Sequence, residues 1–191
     1  MPDQTFTSGQ ILTASQMSSL QSNIGLTFIK AQSATSGTTM DITSAFSSSF
    51  DNYRVIISDL RSTGSAAGIT MTLGTPSAVT SGYYWAATYL SGYNNGASVT
   101  AIGASNGSSF DLNMVCMGST ASYCAIEIAS PNKATTTGIT AIGVDARTSS
   151  GAPRQPSTGF HSGTNQFTSI QLTLGTVIAN MDVVVYGYRK S

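Results

Sequence analysis

Residues 110–129 read FDLNMVCMGSTASYCAIEIA, and their alternation decides the fold class. Phe110, Leu112, Met114 and Cys116 are interleaved with the polar Asp111 and Asn113, while Cys124, Ile126 and Ile128 alternate with Ala125, Glu127 and Ala129. A period of two puts each apolar set on one face of a strand, so each run predicts a strand with one buried side. With the intervening GSTAS turn centred on Thr120, the runs predict an antiparallel hairpin. Cys116 then faces Cys124, Met114 faces Ile126 and Leu112 faces Ile128. A one-residue slip sets apolar against polar, so the register is well specified.

Outward from this stretch, short β-prone runs recur with turn signals between them. They predict strands over 26–33, 38–43, 53–60, 68–74, 83–90, 109–118, 122–129, 137–146, 167–174 and 182–189. Ile170, Leu172 and Leu174 repeat the alternation, with Gln171 and Thr173 between them. The run Val183 to Tyr188 is apolar on both sides, which predicts a central strand or one packed against another subunit. No βα alternation suggests a parallel sheet. The fold class is all-β, an antiparallel, jelly-roll-like sandwich. Gly92 to Ser108 and Thr148 to Thr164, rich in glycine and small polar residues, read as two long loops.

Only the first stretch, Phe6 to Lys30, scans as an amphipathic helix. Thr13 and Gln16 have capping-box spacing, Met17, Leu20 and Ile24 share a face, and Gly25 suits the position after a helix end. About three turns are marginal alone in water, so this stripe needs a surface to pack on. The division expected is an attachment arm and helix over 1–25 and a β-sandwich domain over 26–191. Leu12, Met17, Leu20 and Ile24 are the expected attachment or oligomer contacts.

Eight Lys+Arg balance eight Asp+Glu, and charged residues are 8% of the chain against roughly a quarter in ordinary soluble proteins. That balance gives no drive toward nucleic acid or an anionic membrane. No apolar run is long enough for membrane insertion, and polar residues follow Met1 where an export signal would place an apolar run. Near-zero charge offers no repulsion between copies, so an assembly suits the composition better than a free cytosolic enzyme.

Candidate chemistry is sparse. His161, the single histidine, reads as a surface or interfacial residue, and one ring without neighbouring ligands makes no metal site. Asp111 and Glu127 are the imaginable carboxylate pair for glycan cleavage, but solvated surface acids are the simpler reading. Cys116 and Cys124 read as buried thiols, cytoplasmic synthesis disfavouring a bond between them. Tyr83, Trp85 and Tyr89 share strand parity and so one face, for the core, a subunit seam, or stacking against a host glycan or protein. No catalytic residue, metal ligand or cofactor is expected.

FTSGQILTASQMSSLQSNI at 6–24, AFSSSFDNYRVIIS at 45–58, GYYWAATY at 82–89 and VVVYGYRKS at 183–191 together resemble small tail-fibre-like virion structural proteins of tailed phages, of the cyanophage type. The resemblance implies a β-sandwich head in three copies about an axis, docked on other virion proteins through its N-terminal part. Such a protein is made in the host cytoplasm and released by lysis. The expected role is a non-enzymatic, homotrimeric tail fibre or appendage that contacts the host surface. The alternatives are a capsid decoration (cement) or head-fibre protein and, from another class, a glycan-cleaving tail component.

Overall fold

The computed structural model describes residues 13, 25–75, 77–91, 98–118, 120–144 and 156–188. Among these the chain forms twelve strands: β1 (Leu26–Ala34), β2 (Thr39–Ile42), β3 (Asn52–Ser62), β4 (Ala67–Gly74), β5 (Tyr83–Ser91), β6 (Ser98–Gly107), β7 (Phe110–Cys116), β8 (Ser122–Ala129), β9 (Thr137–Val144), β10 (Ser157–His161), β11 (Ser169–Leu174) and β12 (Ile178–Tyr188). The predicted N-terminal helix, with Leu12, Met17, Leu20 and Ile24, lies outside the described residues.

All pairings between these strands are antiparallel. One sheet runs β1-β12-β3-β8-β9-β10-β5-β6 and the other β2-β11-β4-β7. Within them, β1-β12-β3-β8 and β2-β11-β4-β7 form the two layers of the sandwich, with β7 also lying against β5 and β9. The chain changes sheet on passing from β1 to β2, β2 to β3, β3 to β4, β4 to β5, β6 to β7, β7 to β8, β10 to β11 and β11 to β12. This is the strand order of a double-sheet jelly roll. Two insertions, β5–β6 and β9–β10, extend the first sheet beyond β8 as a four-stranded wing.

The residues of alternating parity explain the sandwich. Val55, Ile57, Ile126, Ile128, Val183 and Val185 of the large sheet are buried against Ile69, Met71, Leu112, Met114, Ile170 and Leu172 of the small one. Full burial of each such side chain contributes about 1.5–3 kcal/mol. Tyr53 anchors the stretch before β3: its hydroxyl both donates to the Ser47 carbonyl and accepts from the Ser47 N–H, each at 2.7 Å. The Phe46 and Phe50 rings meet it edge-on.

The predicted hairpin is corrected by this topology. β7 and β8 each have the predicted buried face, but they lie in different sheets. Cys116 is opposite Ala67 of β4, and Cys124 is opposite Ile57 of β3 and Gly143 of β9. The two apolar faces meet across the core instead of side by side. Met114 packs on Gly143, where an added Cβ would come within 3.0 Å of its sulfur. Asn113, expected to point outward, is buried with φ +50, and its Nδ2 donates to the Thr88 carbonyl of β5 at 3.0 Å. Four register steps of β7 (Asp111 to Val115) match only two of β4 (Gly68 to Thr70), so β7 bulges. β6 and β10 fall inside the two stretches read as loops.

Candidate functional site

Because inward parity builds the core, the outward parity of the large sheet is what the domain presents. The ladders align one row of outward residues as Tyr84 (β5), Phe160 (β10), Gly138 (β9), Ala129 (β8), Asn52 (β3) and Tyr188 (β12). The next row holds Thr158, Thr140, Glu127 and Arg54. Tyr84 and Phe160 stack with centroids 5.1 Å apart and planes 10° from parallel.

Between Tyr188 and β10 the face sinks into an open trough of about 570 Å³. Its floor is Ala129, Gly138 and Gly159, and it also reaches Ile128 and Ile139, whose side chains are buried. Those two residues therefore offer backbone. Polar groups come from Asn52, Glu127, Thr140 and Thr158. Tyr188 donates its hydroxyl to Glu127 Oε2 at 2.9 Å, and Arg54 Nη1 lies 3.4 Å from Oε1. Burial, followed by the hydrogen bond and charge of Glu127, raises the Tyr188 phenol, so it stays a donor. Arg54 and Glu127 are both half-exposed, which limits the pair to about 0–1 kcal/mol of stability. What it supplies is a fixed carboxylate.

Past this ion pair, the face becomes apolar. Tyr123, Ile142 and Val144 are 51%, 58% and 63% exposed, and with Ile56 and Ala125 they line a second depression of about 310 Å³. Tyr123 stands opposite Val144, and Ala125 opposite Ile142, so these residues form one contiguous flank.

Several residues singled out in the sequence sit elsewhere. Tyr83 is fully buried, so it is a core residue and not a contact for another molecule. Trp85 packs on the core, with its ring 6.4 Å from that of Phe110 and its Nε1–H donating to the Ser109 carbonyl. Tyr89 is half-buried on the same strand. The aromatic pair that faces outward from this sheet region is Tyr84–Phe160.

His161 is also a correction, since it is 2% exposed and not on the surface. The Gly163 N–H donates to Nδ1 at 3.1 Å, so Nε2 carries the proton and donates to the Ser81 carbonyl at 3.0 Å. A neutral ring with both nitrogens satisfied can be buried, and Tyr83 and Phe167 meet it edge-on.

Asp111 and Glu127 stand on different sheets and do not converge. Cys116 and Cys124 are buried thiols, and burial pushes that of Cys124 up to about 12. Among the described residues no three His, Cys, Asp or Glu side chains gather where a metal could bind.

The trough was not read from the sequence. Its signal lies in Val183 to Tyr188: once Val183 and Val185 face inward, Tyr186 and Tyr188 must face out. No family model matches the chain, and comparison with characterised proteins and with solved structures gives no match.

Proposed function

We propose that the chain is a non-enzymatic structural protein of a virion, a homotrimeric jelly roll held on the particle through residues 1–25. In this reading it is a tail fibre or tail appendage, and it meets the host surface. The observation that carries the proposal is the flank of Tyr123, Ile142 and Val144, an exposed apolar patch on a domain with only 8% charged residues. Contiguous exposed apolar surface marks an interaction site, and near-zero net charge leaves association unopposed. A ring of three copies uses heterologous seams, each flank meeting a different surface of its neighbour. The stretches that resemble tail-fibre-like proteins support the virion setting, and double-sheet jelly rolls recur in viral capsid proteins and lectins, an analogy of fold alone.

The test is the mass of full-length protein by light scattering, beside Ile142→Asp and a version lacking residues 1–25. The full-length protein is expected at trimer mass, Ile142→Asp at lower mass with the fold kept, and the truncated form absent from particles. Immunogold label is expected on the tail. A full-length monomer overturns the trimer, and label confined to the capsid overturns the tail assignment.

A further inference from the structure

The trough beside Tyr188 has a chemistry distinct from the apolar flank. We infer that it binds a neutral saccharide, laid across β3, β8, β9 and β10, with Tyr188 as the stacking ring and Glu127 as the central acceptor. The inference gives the proposed host-surface contact a chemical class, and to that extent it rests on that reading.

Shape is the first argument. Ala129 and Gly138 leave the floor with nothing taller than a methyl group. Four inter-strand spacings of about 4.8 Å separate Tyr188 from the Phe160 strand, so the outward row spans about 19 Å. An extended, flat ligand fits such a surface better than a compact one.

Polarity is the second. Tyr188 and Arg54 each hold one oxygen of Glu127. A carboxylate has about four lone-pair sites, so acceptor capacity remains for ligand hydroxyls. Bonds to an ionised acceptor are among the stronger ones. Asn52, Thr140 and Thr158 supply groups that both donate and accept, which matches a ligand whose hydroxyls do the same. Tyr188 adds a flat apolar ring with a polar tip.

Charge and backbone exclude the other polymers. The charges of Arg54 and Glu127 cancel, so the trough carries no cationic surplus for a phosphate or a nucleic acid. A peptide strand needs an open sheet edge, yet β3, β8, β9 and β10 each pair on both sides.

The experiment takes the isolated full-length protein to an array of neutral, sialylated and sulfated glycans. Saturation-transfer NMR then follows on the strongest neutral trisaccharide. Binding to neutral glycans is expected, with contacts to ring protons. Tyr188→Ala is expected to weaken it by at least about tenfold, and Tyr188→Phe, which keeps the ring but releases Glu127, by about fivefold. Gly138→Gln fills the floor from a position where a Cβ has ordinary room, so it should keep the urea midpoint and abolish binding. The inference is overturned by an array with no neutral binder, by preference for charged glycans or peptides, or by binding that survives Gly138→Gln. Trimer mass without saccharide binding sinks this inference and leaves the assembly reading standing. Binding by a monomer does the reverse.

Discussion

The Tyr83 hydroxyl, carried by the large sheet, accepts a 2.6 Å hydrogen bond from the Leu73 N–H of the small one. β4 outruns its partner there, since pairing with β7 ends at Met71 opposite Phe110. Tyr83 thus takes the place of the missing strand. Burial pushes its phenol up to about 12, and the Leu73 N–H draws it back in part. Tyr83→Phe leaves that buried donor unsatisfied and should cost about 1–3 kcal/mol, read as a lower urea midpoint at unchanged m.

His161 should make stability depend on pH. Desolvation holds its pKa below the ordinary 6.5, with the hydrogen bond to the Ser81 carbonyl opposing. The unfolded chain therefore binds a proton first on acidification. The stabilisation is present in full above about 6.5 and is lost as pH falls toward and through the folded value, by no more than about 1.4 kcal/mol per pH unit. Urea midpoints at pH 7.5 and 5.5 should differ in that sense, and His161→Gln should flatten the difference.

Gly159 and Gly138 face each other's strands but should respond differently to alanine. A Cβ at Gly159 would run into the Tyr84 carbonyl oxygen and lie 2.7 Å from the Trp85 Cα, all backbone that cannot give way cheaply. A Cβ at Gly138 meets only the Ala129 Cβ, at 3.5 Å. Gly159→Ala should cost about 1–3 kcal/mol and Gly138→Ala less than about 0.5 kcal/mol, by thermal or urea unfolding.

The two cysteines should be silent until the protein unfolds. Cys116 and Cys124 are both buried, and little of Cys124 is thiolate at pH 8 with its thiol at about 12. A thiol reagent should label neither in buffer and both in denaturant. Fast labelling of the native protein would contradict the packing.

Alternation told which side chains are inside and nothing about who lies beside whom. Leu112, Met114, Ile126 and Ile128 are buried as their spacing required. Yet the same pattern arises whether two apolar faces share a sheet or oppose each other across a core, and β7 and β8 do the second. β6 escaped notice because its stretch SVTAIGASNG is an edge strand with no residue fully buried. β10 has five residues, one of them Gly159, chosen by close approach to Tyr84 and not by strand propensity. His161 misled for a related reason: burial of its ring depends on Ser81 and Gly163 being placed around it, which no local pattern encodes. The trough depends on five strands brought together, so its residues are scattered from Asn52 to Tyr188.

Leu26 and Tyr188 are partners at one end of the β1–β12 ladder. Tension applied between these two residues therefore opens the ladder from that end, one rung after another, as a zipper and not as a clamp in shear. Load that enters at Leu26 and leaves through the trough meets a different geometry, because it must cross the β12–β3–β8 ladders sideways. For a body tethered at residue 26, resistance to pulling is set by the unfolding barrier along that direction and not by overall stability. Under a load applied at Leu26, β1, the edge strand of the large sheet, is the strand that parts first.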